Sequence, residues 1–439
     1  MAPVTVPGVI MTGPETVLAS RYDVTGLAAD AVAWAASGAA ELLSARNEEP
    51  PRAVTVDRIA AAAAFAGERL LSPIGWSLPP LWDPLAGDYR AADGWVRLHT
   101  NYPHHRAAVL AGLGLRTDGW SREVVAAAVA GRPADDVESA VVAAGGPAAA
   151  LHPYAAWKAA VGPEATAVDL APVARLTLPP APAPYAGVRV LDLTRVIAGP
   201  VATRYLAAYG ADVLRIDPPH FPEVPALLPE VTPGKRCAFL DLTTERARFL
   251  DLVRQAHVLV CGLRSGALER LGLPAAALRA INPGLVIARL NAYGWAGPWT
   301  GRRGFDSLVQ MSCGIAYVDD HSPPSPLPVQ ALDHATGHLL AGWIGRALAE
   351  QLRTGHPADI RTSLVATAGA LIARERPARS GAGPGGEAGT IRWPESVFET
   401  TSTVWGPARR VRVPGTIAGV TPHWSVPAGP LGRHPATFG

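Results

Sequence analysis

From Gly187 to Pro219 the chain reads GVRVLDLTRVIAGPVATRYLAAYGADVLRIDPP. The opening Gly187-Val-Arg-Val-Leu-Asp-Leu193 is a short apolar run bounded by glycine, the length of a buried strand rather than of a helix. Gly199-Pro200 leads into a helical stretch, Val201 to Tyr209. Gly210 is well placed to end that helix, because glycine adopts the left-handed conformation of a helix C-terminus at little cost. Ala211-Asp-Val-Leu-Arg-Ile216 is the next apolar strand. Strand, helix and strand in close succession form the repeating unit of a parallel sheet.

The alternation continues downstream. Leu240-Asp-Leu242, a helix from Glu245 to Ala256, the strand His257-Val-Leu-Val-Cys261, a helix from Ala275 to Asn282 and the strand Leu285 to Leu290 follow in order. The pattern predicts an α/β fold with a doubly wound, Rossmann-like parallel sheet over residues 187–330, with ligand at the carboxyl ends of its strands. Upstream, residues 1–84 are Ala-rich and helical, with Ala28 to Arg46 and Ile59 to Leu71 as helices around a strand, Ala53 to Val56. Residues 85–177 mix Trp-containing strands with helices and suggest a smaller α/β domain. Leu178-Pro-Pro-Ala-Pro-Ala-Pro-Tyr185, within 178–186, reads as a stiff linker. Residues 331–375 run helix, short strand and Ala-rich helix, and 376–439 read as an extended tail. Residues 23–71 follow the same plan as 333–375, each starting near a Thr-Gly, which suggests an internal echo.

Composition narrows the function. With 39 Lys and Arg against 37 Asp and Glu, the net charge is +2, and no basic stripe marks a nucleic-acid partner. Cys237, Cys261 and Cys313 lack metal or disulfide spacing and suggest reduced thiols in a cytoplasmic protein. No segment approaches the length of apolar chain that spans a membrane, and the N-terminus lacks the pattern of a secretion signal, so no membrane partner is expected.

Beyond these features, the 187–219 stretch resembles the opening of the class III CoA-transferase family, which includes formyl-CoA transferase, carnitine CoA-transferase and the alpha-methylacyl-CoA racemases. The likeness continues through Lys235-Arg-Cys-Ala-Phe-Leu240-Asp-Leu, Arg264-Ser-Gly-Ala-Leu-Glu-Arg270-Leu-Gly, Leu278 to Pro283, Tyr293-Gly-Trp-Ala-Gly-Pro298 and Gly304-Phe-Asp306. It then reaches Ala331-Leu-Asp333-His-Ala-Thr-Gly337 and ends at Trp424 to His434. Asp88-Tyr-Arg-Ala-Ala-Asp-Gly-Trp-Val96 heads a stretch similar to the family's small domain, which in ordinary members follows the nucleophile segment. Here it comes first, so the order is permuted, as in a chain cut from a tandem duplication.

The resemblance implies that Asp333 attacks the thioester of an acyl-CoA, forming a mixed anhydride and then an aspartyl-CoA thioester that an acceptor carboxylic acid opens. It implies CoA contacts at Arg195, Ala198, Leu240, Arg264 and Arg270, with CoA as substrate, no permanently bound cofactor, no metal, and a homodimer. The arginines suit phosphate through their fixed fork of donors, and each also suits a solvated surface position. Gly262-Leu263 and Asn291 depart from the family's pattern among the CoA contacts. Asp333 also has a purely structural reading, as the N-cap of a helix from His334 to Arg353. Phe305 stands where the racemases carry a catalytic histidine, which favours CoA transfer over racemisation; a catalytically silent structural paralogue is the other alternative. Gly381 to Gly386 fits a dinucleotide-type glycine pattern without the flanking strand and helix it needs. His334 and His338 have metal-ligand spacing but no third ligand nearby.

Overall fold

The computed structural model describes residues 8–162, 164–374 and 391–439; the glycine-rich motif at 381–386 lies outside them. The elements that build the site are helices α1 (Val24–Asn47), α2 (Gly67–Leu70) and α3 (Pro103–Gly112), strand β1 (Ala167–Leu170), β2 (Arg189–Leu193), α4 (Ala198–Ala208), β3 (Asp212–Asp217), β4 (Lys235–Phe239), β5 (Val258–Cys261), β6 (Val286–Asn291), α5 (Asp306–Ser312), α6 (Ala331–Thr354), β7 (Ala358–Ser363) and α7 (Leu364–Ile372).

One large sheet runs in the order β4-β3-β2-β5-β6-β7-β1. All its pairings are parallel except β7 with β1, which is antiparallel. Alternate residues of the strands bury on opposite faces. Val190, Val213, Val258, Val260 and Val286 enter the core shared with α1, α4 and α6, while Leu191, Leu193, Leu214, Leu259 and Ile287 pack beneath the helix Arg246–Gln255. Such two-sided burial explains why these strands read as continuous apolar runs. β1 belongs to this sheet, although its residues fell within the stretch assigned to the smaller domain. That domain is built on an antiparallel sheet of Gly87–Arg90, Trp95–Leu98 and Ala148–Ala150.

The echo is present in three dimensions. Val9–Thr12 pairs in parallel with Val54–Asp57, and α1 lies between them in the chain, as α6 lies between the parallel β6 and β7. The two long helices meet at glycines. A Cβ on Gly38 would stand 2.4 Å from the Gly342 carbonyl oxygen, and one on Gly342 would stand 2.5 Å from the carbonyl oxygen of Trp34. Trp34 and Trp343 meet edge to face at 4.7 Å beside the crossing.

Three expectations change. The helix expected over Ile59 to Leu71 breaks into Arg58–Ala64 and α2, and the break turns Glu68 into the interior. The Pro-rich linker is clamped to the end of α1: Arg46 donates to the carbonyls of Pro179, Pro184 and Ala186, and Asn47 exchanges two hydrogen bonds with Ala181. The tail is not simply extended. Phe398–Thr403 and Gly406–Val411 form a hairpin that pairs with Ser72–Pro73, and Thr416–Ile417 adds to the N-terminal strand pair.

Because the glycines set the distance between α1 and α6, Gly38→Ala and Gly342→Ala are each expected to destabilise the protein by about 1–3 kcal/mol through overpacking. Gly369→Ala in α7, where a Cβ meets nothing within 4 Å, should be neutral or stabilising by up to ~1 kcal/mol. Urea denaturation of the three variants checks this ordering.

Candidate active site

A cleft of about 350 Å³ opens at the carboxyl ends of the parallel strands. Arg195 to Ala198 follow β2, Gly262 to Arg264 follow β5, Leu290 to Ala292 end β6, and Arg302 to Phe305 precede α5. The chain winds outward from β2 and β5 in opposite directions, so the connections leaving these neighbours diverge and leave a crevice. Val196 lines it with φ of 65°, a strained conformation for a β-branched residue. Its N–H is held by the Glu223 carboxylate at 3.0 Å. The smaller domain closes the other side with Tyr102, His104 and His105 from the start of α3.

Asp333 reaches this cleft from the first turn of α6. The residue is only 7% exposed, and its carboxylate receives no hydrogen bond from the described residues. Burial pushes its pKa well above the usual carboxylate range, and the nearby charges of Asp306 and Glu68 push it further. It is not the helix cap. α6 begins at Ala331, so Asp333 lies inside the helix, and the capping role falls to Asp306, whose carboxylate accepts the Asp333 N–H at 2.9 Å and the Gln310 side-chain amide. Asp306 is fully buried, and burial raises it to about 6 even against these donors.

Behind Asp333, Glu68 of α2 meets His334 at 3.0 Å, both side chains at most 2% exposed. Burial favours the protonated form of Glu68, but His334 beside it holds its pKa below the usual value. His338, the other histidine of the metal-like spacing, sits buried between Phe65 and Tyr205, and burial lowers it to about 3.

Asp333, Arg195, Ala198 and Arg264 converge on the cleft, whereas Leu240 and Arg270 do not line it. Leu240 is 1% exposed within the apolar layer under the helix Arg246–Gln255. Arg270 is exposed at the end of the short helix Ala267–Arg270. The Arg195 guanidinium is already engaged: it donates to the Phe221 and Pro222 carbonyls, faces Asp217 at 3.3 Å and lies 4.6 Å over the Phe221 ring. The Arg264 guanidinium has no ion pair or hydrogen bond to the described residues; burial lowers the pKa of the half-buried Arg303, and the Arg264 charge lowers it further. Sequence reasoning missed Glu68, Tyr102, His104 and His105. The run Tyr102-Pro-His-His-Arg106 was the available signal for the last three. His105 is driven down to about 2 by burial and by His104 and His99, so its imidazole is neutral. Phe305 stacks flat on His99 at 3.6 Å.

A carboxyl with a raised folded pKa binds its proton more tightly in the native than in the unfolded state, so stability falls as pH rises from about 4 toward the folded value. Asp333→Asn removes that penalty without removing a hydrogen bond. Its melting temperature should exceed that of the parent by a few degrees at pH 8 and match it at pH 4; equal differences at both pH values would contradict the assignment. Glu68→Gln breaks a buried pair and should cost about 3–5 kcal/mol in chemical denaturation.

Residues 185–403 match the family model described as CoA-transferase family III. A probable fatty acyl-CoA transferase of Mycobacterium tuberculosis is 36% identical over 189 residues, covering 39% of this chain and 48% of that protein. The acetyl-CoA:oxalate CoA-transferase of Acetobacter aceti is 34% identical over 197 residues, covering 41% of this chain and 51% of that protein. A crystal structure of the M. tuberculosis protein aligns at 34% identity and a TM-score of 0.40, covering 42% of this chain and 56% of that one. The chain thus spans about half the length of the curated relatives it matches. The chain belongs to CoA-transferase family III.

Proposed function

We propose that the protein moves CoA between an acyl-CoA and a carboxylic acid, with Asp333 as nucleophile. The observation that carries this reading is a desolvated carboxylate without hydrogen-bond partners, presented by a helix start into a cleft that also holds an unpaired arginine. Desolvation strips the carboxylate of the water that blunts its attack. The Asp333 oxygen adds to the thioester carbonyl, the C–S bond breaks, and CoA leaves as thiolate, a tolerable leaving group at a thiol pKa of about 8.5. The thiolate then attacks the Asp333 carbonyl of the mixed anhydride and releases the first acid as carboxylate. The acceptor carboxylate attacks the aspartyl-CoA thioester, a second anhydride forms, and the returning thiolate attacks its acyl carbonyl to give the new acyl-CoA and free Asp333. α4 starts at Ala198 on the cleft wall, so its positive end favours the developing oxyanion.

Arg264, with Arg303 beside it, is assigned to the CoA phosphates, in preference to Arg270 and the already engaged Arg195. The strand order supports a Rossmann-like, doubly wound sheet, and the paired β-α-β units support a permuted chain derived from a duplication. In this arrangement the chain's own smaller domain covers its own Asp333, so a homodimer, the assembly we propose, need supply no residue to the cleft. The buried, unbridged Cys237, Cys261 and Cys313 suit a cytoplasmic location. Among the described residues no helix is long and apolar enough to cross a membrane.

A second reading draws on His105. Its neutral ring shares the cleft with Asp333, so two groups could exchange a proton at the carbon beside the thioester, as an acyl-CoA racemase would. Incubation with acyl-CoA and hydroxylamine, followed by mass spectrometry, should yield a hydroxamate confined to Asp333 and absent in Asp333→Ala. Deuterium uptake into the acyl group from D₂O without any hydroxamate would favour the racemase reading. Neither signal with any acyl-CoA tested would favour a silent structural paralogue.

A further inference from the structure

A second cavity, of about 140 Å³, lies at the start of α6 and shares no lining residue with the cleft. Four parts of the chain meet there: Arg69 of α2, Trp82 just ahead of the smaller domain with Arg97 inside it, Ser307 and Gln310 of α5, and the loop Pro324 to Gln330 that leads into α6. Its charge is positive in balance. Asp88 is the carboxylate on its wall, and it is paired with Arg97 at 2.7 Å, which leaves Arg69 uncompensated at the mouth. Arg69 donates to the Pro328 carbonyl at 2.6 Å, which aims its guanidinium across the loop.

Two buried donors have no acceptor. Ser307 is 6% exposed and its Oγ has no partner; Arg97 Nε is likewise buried and unbonded, with its guanidinium 5.6 Å over the Trp82 ring. Unsatisfied donors in a cavity with surplus positive charge call for an anionic acceptor. Met311, Ala316, Leu327, Pro324 and Pro326 supply the apolar part of the same lining. A group that is anionic at one end, short, and apolar elsewhere fits both surfaces.

We propose that this cavity binds a short-chain carboxylate, with the carboxylate on Arg69, Arg97 Nε and Ser307 Oγ and the carbon chain against Met311 and Leu327. Gln310 connects the site to the nucleophile. Its Oε1 accepts the Leu327 N–H of the cavity loop at 2.7 Å, and its amide donates to Asp306, which in turn holds the Asp333 N–H. A carboxylate seated against Leu327 is therefore sensed at the start of α6. Identifying the ligand as the free acid of the exchange rests on the CoA-transfer reading; the binding itself does not.

Calorimetric titration of the full chain with acetate, oxalate, succinate and inorganic sulfate tests the assignment without CoA present. Saturable binding of at least one of the acids is expected in the parent and equally in Asp333→Asn. Arg69→Gln should weaken it about tenfold or more and Ser307→Ala severalfold, with unchanged melting temperatures and unchanged CoA affinity. Sulfate binding as tightly as the acids, affinity insensitive to both substitutions, loss of binding in Asp333→Asn, or no binding at all would overturn the proposal. If acids bind as expected while CoA does not, the CoA-transfer reading fails and the carboxylate site stands.

Discussion

The contact between α1 and α6 is the constraint on which the rest of the structure depends. Glycine at positions 38, 342 and 345 lets the two backbones touch, and any side chain there would collide with a carbonyl oxygen or main-chain carbon. Close-packed interiors do not absorb such collisions without shifting their elements. The helix that presents Asp333 is therefore clamped against the N-terminal part of the chain, and Phe65 and Glu68 reach His334, with Phe65 stacked on its ring at 5.4 Å. Residues some 270 positions apart thus share one buried cluster.

Within that cluster, hydrogen bonding is distributed among the neighbours of Asp333 and leaves its carboxylate without a donor. Asp306 takes the backbone N–H that an N-cap would have taken, and His334 takes Glu68. The corresponding start of α1 shows the opposite outcome. Asp23 accepts the Gly26 N–H at 2.8 Å and an ion pair from Arg374 at 2.9 Å, and Arg374 also holds Asp30. The two helix starts thus differ: the Asp23 carboxylate is paired and serves packing, while the Asp333 carboxylate is unpaired and destabilising. Strain of this kind persists only where the surroundings enforce it.

The smaller domain is held over the cleft by a buried charged network. The Tyr102 hydroxyl donates to Glu223 at 2.6 Å, and Glu223 and Asp217 both pair with Arg215 at 2.8 Å, at the end of β3. Burial alone would protonate Glu223, but Arg215 and Arg195 hold it down to about 2. Removing one member would strand a buried charge, so the network fixes where α3 sits and hence where its histidines meet the cleft.

The sequence by itself determined the alternation of strand and helix from Gly187 onward, because burial on both faces of a parallel sheet leaves continuous apolar runs that need no partner to be recognised. The echo at 23–71 was legible as well, since helix and strand patterns repeat within short windows, whereas Asp333 was singled out only through the resemblance to a known family. Tertiary structure decided the rest. That α6 starts at Ala331 and is capped by Asp306 follows from a contact across 27 positions. That Glu68 points inward follows from a helix break beside Glu230, whose carboxylate would crowd a Cβ on Gly67 at 2.6 Å. That Leu240 packs into the core depends on the helix Arg246–Gln255 folding over the sheet, and that Tyr102 and His105 line the cleft depends on how two domains meet. The reactivity of a carboxylate depends on which donors and charges the fold brings near it, and no local pattern of residues encodes that.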